Sequence, residues 1–188
     1  MKRAAMALVA VAAAVLASGC STLEAQGPRA VAKLEAAKDS PVWGSVSFVE
    51  SDGAVVVRAD VRGLRGGGEF GFHVHEKGDC SSADFMSAGG HFNPGGKPHA
   101  HHGKPERHAG DLENLKANSE GNAVYAFETT LLTVTKGPNS VVGRAVVIHA
   151  NPDDYTSQPA GNSGPRIACG LIRADDEGSG PLYPRLTR

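Results

Sequence analysis

The side chains best suited to chemistry are histidines, and all eight lie between His73 and His149. His73 and His75 stand two apart in GFHVHE. On a strand, residues two apart face the same side, so both imidazoles can reach one ion. His91, His99, His101, His102 and His108 follow in HFNPGGKPHAHHGKPERHAGD, with Asp111 three residues beyond the last. Nitrogen donors with one carboxylate suit zinc or copper(II), whereas a calcium or magnesium site would be built from oxygen. A surface tract that binds metal loosely is the alternative. The recurring Gly and Pro argue for a shaped loop, because they restrict the backbone at fixed points. His149 ends the apolar run RAVVIHA, where a buried imidazole needs a partner, either a metal or a hydrogen bond within the core.

The elements that must position these groups read as strands. From Pro41 onward the texture has period two: Val46 and Phe48 alternate with Ser45 and Ser47. Val55 to Val57 with Val61, then Phe70, Phe72 and Val74, then Val124, Phe127 and Leu131 continue the pattern. Val141 to Ile148 and Ile167 to Ile172 complete it, with Gly, Pro, Asn and Asp between the runs. No helical period is sustained, which predicts an antiparallel sandwich or barrel. Two long connections, roughly Glu76 to Leu115 and Asn151 to Pro165, are the expected functional loops, and the first holds most of the histidines.

The N-terminus has a different purpose. Lys2 and Arg3 precede 14 unbroken apolar residues, Ala4 to Ala17, and small residues lead to Cys20. This predicts an export signal over 1–19, since the run is shorter than the ~18–20 residues of a spanning helix. Ala17-Ser18-Gly19-Cys20 resembles a bacterial lipoprotein cleavage box, although Leu16 sits one place earlier than that pattern prefers; the reading is a lipidated Cys20, with plain secretion as the alternative. Residues 20–40 are polar and rich in Ala, Glu and Lys, and are read as lipidated terminus and flexible tether; 41–174 form the domain and 175–188 a C-terminal extension. With Cys20 set aside, Cys80 and Cys169 remain as one pair in an oxidising setting. A disulfide is the economical reading, and two separate buried thiols the alternative. Formal net charge is −1 for the 188 residues, which argues against a nucleic-acid binder.

From about Val42 to Ile172 the chain resembles the copper/zinc superoxide dismutase family. GFHVHE, GGHFNP, RHAGDL, VVIHA followed by two aspartates, and RIACG occur in the family's order. The resemblance implies an eight-stranded antiparallel Greek-key β-barrel or sandwich with two long functional loops. It implies His73, His75, His91 and His149 as copper ligands, and His91, His99, His108 and Asp111 as zinc ligands, with His91 bridging. His99 is preferred over His101 and His102 because it keeps the family's distances to His91 and His108. Cys80 and Cys169 match the family's disulfide, and Arg166 matches the arginine that guides the anion to copper. Asp153 matches a carboxylate joining a copper histidine to a zinc histidine, with Asp154 as competitor.

The implied activity is disproportionation of superoxide to dioxygen and peroxide, protecting the cell envelope, with a lipid anchor as the only membrane association. A non-enzymatic metal store on the same scaffold would lack a copper ligand or the arginine. The segment YTSQPAGNSGP before Arg166 has no charged residue, so Lys77, with Lys97 and Lys104 behind it, is the candidate for substrate steering. Monomer and homodimer are both left open.

Overall fold

The computed structural model describes residues 27–175; the predicted export signal, Cys20 and all but the first residue of the C-terminal extension lie outside the described residues. Ten strands follow in order: β1 (Arg29–Ala36), β2 (Trp43–Ser51), β3 (Ala54–Arg62), β4 (Glu69–Phe70), β5 (Phe72–His75), β6 (Leu115–Lys116), β7 (Ala123–Thr129), β8 (Ala145–His149), β9 (Arg166–Leu171) and β10 (Arg173–Ala174). Eight of them form one antiparallel sheet in the order β5-β8-β9-β1-β2-β3-β7, with β10 also on β1, while β4 and β6 make a separate ribbon. The all-β, antiparallel class expected from the alternation is the one found. A short 3-10 turn, Met86–Ala88, interrupts the first long loop.

Within the stretch read as a tether, β1 corrects the reading for Arg29–Ala36. Arg29–Ala36 pairs with β2 over six residues, from Arg29↔Val49 to Leu34↔Gly44, and then with β9 at Glu35↔Cys169. The physical reason is visible in RAVAKLEA: Ala30, Ala32 and Leu34 point into the core, while Lys33 and Glu35 point out. Small alanines carry little hydrophobic signal, yet their alternation is that of a half-buried strand.

The main core gathers alternate residues of the strands, among them Val46 and Phe48 of β2, Val55, Val57, Ala59 and Val61 of β3, and Phe72 and Val74 of β5. Each large side chain fully buried there contributes about 1.5–3 kcal/mol. β8 is buried along its whole length. Val146 and Ile148 face this core, and Ala145 and Val147 face a smaller cluster with Phe85, Ala88 and Cys169. The loop after β5 therefore covers the outer face of β8, which is why AVVIH reads as a continuous apolar run rather than an alternating one.

Candidate metal centre

β5 is buried at every position and pairs with β8 along one edge, from Phe72↔Ile148 to His75↔Ala145. Along its other edge it makes two isolated bridges, His73↔Asp111 and His75↔His91. Backbone bonds pin these segments: Val74 N–H donates to Gly110 O at 3.0 Å, and Phe92 N–H to Val74 O at 2.8 Å. Gly110 has to be glycine, since an added Cβ would collide with the Val74 carbonyl oxygen. The strand thus delivers two histidines and also holds the chain that supplies His91, His108 and Asp111. His149 enters at the end of β8, where the pairing with β9 shifts between Ile148 and His149 and leaves His149 opposite Arg166. Such an irregularity re-aims a side chain.

The result is two donor sets that share one member. Ligand atoms of His73, His75, His91 and His149 lie within 4.8 Å of one another, as do those of His91, His99, His108 and Asp111, and all are buried. In the first set, His75 Nδ1 donates to Gly89 O at 2.9 Å and His149 Nδ1 to Gly164 O at 3.1 Å, which leaves the two Nε2 atoms facing each other at 3.4 Å. In the second, Asp111 Oδ1 lies 2.8, 3.0 and 3.2 Å from the Nδ1 atoms of His91, His99 and His108.

Asp153 joins the sets. Its carboxylate accepts from His73 Nε2 at 2.8 Å and from His99 Nε2 at 2.9 Å. Asp154, the competing candidate, instead closes an exposed turn, accepting from Thr156 N–H and Ser157 N–H. Three residues that the sequence reading did not single out hold this arrangement. Asn114 clamps the Asp153 backbone with bonds of 2.9 and 3.0 Å. Gln158 binds both backbone groups of His99. Gly161 sits at φ 64°, where an added Cβ would strike the Asp153 carboxylate. Isolated amides and glycines have no chemical signature in a single sequence, so nothing in the local pattern distinguishes them.

In the first set the electrostatics favour ligand lone pairs. Burial holds His73 and His75 well below the usual imidazole range and pushes His149 down to about 4. Burial also lowers His91, against the pull of Asp111. His99 goes the other way, raised to about 9: burial opposes the charge, but Asp111 and Asp153 on its two nitrogens outweigh it. Burial likewise opposes ionisation of Asp111 and Asp153, yet hydrogen bonds from His108, His91 and His99 to the first, and from His73 and His99 to the second, hold both well below the usual carboxylate range.

Four imidazoles on one side, and three imidazoles with a carboxylate on the other, are a donor chemistry suited to copper and zinc. Among the ligand side chains, the buried ring nitrogens His73 Nδ1 and His91 Nε2 have no hydrogen-bond partner, while His99 Nδ1 lies 3.0 Å from Asp111 Oδ1. Orphaned buried polar atoms are costly unless something else satisfies them, and a metal ion would. Of the crowded histidines, His99 lies in the second set, whereas His101 and His102 stack on each other at 3.9 Å and pack beside Tyr155.

A cavity of about 710 Å³ opens beside the first set, lined by His149, Arg166, Asp84, Met86 and the segment 157–165. Arg166 is held by two carbonyls of the long loop, donating to Phe85 O and Gly89 O at 2.6 Å each. Gly89 O thus receives both Arg166 and His75. The Cys80–Cys169 disulfide ties this loop to β9. Lys77, Lys97 and Lys104 do not line the cavity, and Lys97 pairs with Glu106 at 2.6 Å.

Comparison with known proteins gives the same picture. The copper/zinc superoxide dismutase (SODC) family model matches residues 42–172. A Cu-Zn superoxide dismutase of Aquifex aeolicus, the second of two from that bacterium, is 40% identical over 139 residues, 72% of this chain and 81% of that one. A Cu-Zn superoxide dismutase of Yarrowia lipolytica is 46% identical over 142 residues, 71% of this chain and 91% of that one. Among solved structures, the clock protein EA4 superposes with a TM-score of 0.71 at 39% identity, covering 77% of this chain and 93% of that chain. A SOD-like protein from Bacillus subtilis gives 0.68 at 38% identity, covering 74% and 94%. With strand order, paired donor sets and extended similarity in agreement, the chain belongs to the copper/zinc superoxide dismutase family.

Proposed function

We propose that the protein disproportionates superoxide at the two adjoining sites, with His73, His75, His91 and His149 holding copper and His91, His99, His108 and Asp111 holding zinc. The observation that carries this is His91, one ring common to both donor sets. Bound copper supplies the one-electron chemistry that turns superoxide into dioxygen and peroxide, and bound zinc, which has no accessible second valence, supplies charge and rigidity.

The chain's own residues supply the rest. Arg166 places a permanent cation at the cavity beside His149, where a small anion would arrive. Its two carbonyl acceptors leave the guanidinium charge uncompensated by any ion pair among the described residues while fixing its direction. His91 Nε2 can hold a proton or present a lone pair, because no protein atom claims it. Asp153 fixes the tautomer of one histidine in each set, so His73 and His99 both turn Nδ1 away from it. The cavity admits a small anion while the histidines themselves stay buried.

The place of work in this reading is the cell envelope, with the mature chain anchored by lipid at Cys20. The export-type N-terminus supports it, and so does the Cys80–Cys169 disulfide, a bond that persists in oxidising compartments. The test is reconstitution: the chain stripped of metal, loaded with one copper and one zinc, and assayed for superoxide decay. Metal uptake without turnover would make it a store instead. For the anchor, Cys20→Ala should release the protein from the membrane fraction, and an unchanged distribution would refute lipidation.

A further inference from the structure

We infer that Asp84 sets the rate at which the anionic substrate reaches the site, by placing a negative charge in the same cavity as Arg166. The inference rests on the dismutase reading above and adds a residue to it. Asp84, Arg166 and His149 line one cavity, and the remaining segment of its wall, 157–165, carries no charged side chain. Asp84 is therefore the one carboxylate among the described residues of that wall. It makes no ion pair with Arg166, but both line the same cavity and its charge acts on the guanidinium.

The reason an acid stands there lies in the backbone. Asp84 Oδ1 accepts the Met86 N–H at 3.0 Å and so closes the turn that starts the 3-10 segment. Phe85, at the middle of that turn, takes a left-handed backbone with φ 58°, a conformation that bulky residues avoid. The strained peptide aims the Phe85 carbonyl at Arg166. Asp84 thus has two opposed effects: its oxygen positions the acceptor of the guiding arginine, and its charge repels the anion that arginine attracts. Only the first effect needs an oxygen, and only the second needs a charge. Asparagine and serine keep an acceptor at this position and remove the charge.

Fields focused in a cleft change the capture rate of a small ion by one to three orders of magnitude, and superoxide dismutases are themselves a standard example. Removing one of the two opposing charges should act on a fraction of that range. For the copper- and zinc-loaded protein, Asp84→Asn should raise the second-order rate of superoxide decay about two- to fivefold near 10 mM ionic strength. The gain should fall toward unity at 1 M salt, where the Debye length shrinks to about 3 Å. Azide, an anion that reports binding through the copper absorption spectrum without turnover, should bind tighter by a similar factor at low salt. Asp84→Ser should behave as Asp84→Asn, whereas Asp84→Glu, which keeps the charge, should show no such gain. Equal rates and azide affinities for Asp84→Asn and the parent at low salt would overturn the inference. So would a rate that falls, or a rise shared by Asp84→Glu, which would trace the effect to shape. Tighter azide in a protein that shows no superoxide turnover in either form would sink the dismutase reading and leave the role of Asp84 standing.

Discussion

Replacing Asp153 with Asn keeps the shape of the side chain and removes one of its two acceptor oxygens. In the protein these oxygens accept from His73 Nε2 at 2.8 Å and from His99 Nε2 at 2.9 Å, with every participating side chain buried. Whichever way the amide turns, its NH₂ group meets a ring N–H, and at least one buried donor loses its acceptor, since Oδ1 also accepts from Tyr155 N–H at 2.6 Å. That costs about 1–3 kcal/mol, while the surviving bond weakens from a charge-assisted to a neutral one, a further ~1 kcal/mol. An amide is cheaper to bury than a carboxylate, which returns part of this, so a net loss of about 2–3 kcal/mol is expected for the metal-free protein. For a domain of this size that lowers the midpoint of thermal unfolding by about 5–10 °C. The second consequence is at the metals. One set loses the partner that fixes its ring and the other keeps a weaker one, and losing such an orienting partner weakens metal binding by about 10–100-fold. Chelator competition with copper and with zinc, run separately, reads both sets. If both affinities stay within twofold of the parent, or if only one set weakens while thermal stability holds, Asp153 does not couple the sites and the reasoning fails.

Three further outcomes follow from the same geometry. For the metal-free protein, stability should peak near pH 6.5. His149 is depressed to about 4, so the unfolded chain takes a proton first as pH falls below 6.5 and stability drops by on the order of 3 kcal/mol toward pH 4. His99 is raised to about 9, so its contribution, whole below 6.5, fades as pH rises through 9. Urea midpoints at pH 5, 6.5 and 8.5 check this, and a steady rise from 6.5 to 8.5 would contradict it. Cys80→Ser opens a loop spanning 89 residues, worth up to about 4.6 kcal/mol by chain entropy, and frees the carbonyls that hold Arg166. Its specific activity per bound copper should fall as well as its melting temperature; a fall in melting temperature alone would mean that the loop holds its place without the bond. Arg166→Glu should lower the rate for superoxide and invert its response to added salt, seen in decay kinetics over 10–500 mM salt, and an unaltered salt response would show that the attraction lies elsewhere.

Legibility differed from element to element. The strands of the main core were readable because large β-branched and aromatic residues alternate there: Val55, Val57 and Val61 of β3 all face inward as their spacing predicts. β1 was missed because its inward residues are mostly alanines, whose burial depends on the strands beside them rather than on their own hydrophobicity. The histidines of the two donor sets were readable from residue type, spacing and family resemblance together. Asn114, Gln158 and Gly161 were not, because their roles exist only where two distant loops meet.

Residue chemistry and local periodicity therefore determined that this chain would be a sheet protein carrying imidazole donors for borderline divalent metals such as zinc and copper(II). Both properties are local, one a matter of side-chain alternation along a strand and the other of nitrogen lone pairs. Tertiary structure alone decided that β5 would serve as the common edge for both sets, that Asn114, Gln158 and Gly161 would hold Asp153 and His99 in place, and that Asp84 would share one cavity with Arg166. Those are relations between segments as much as 82 residues apart in the chain, and such distances are set by the packing of the whole core.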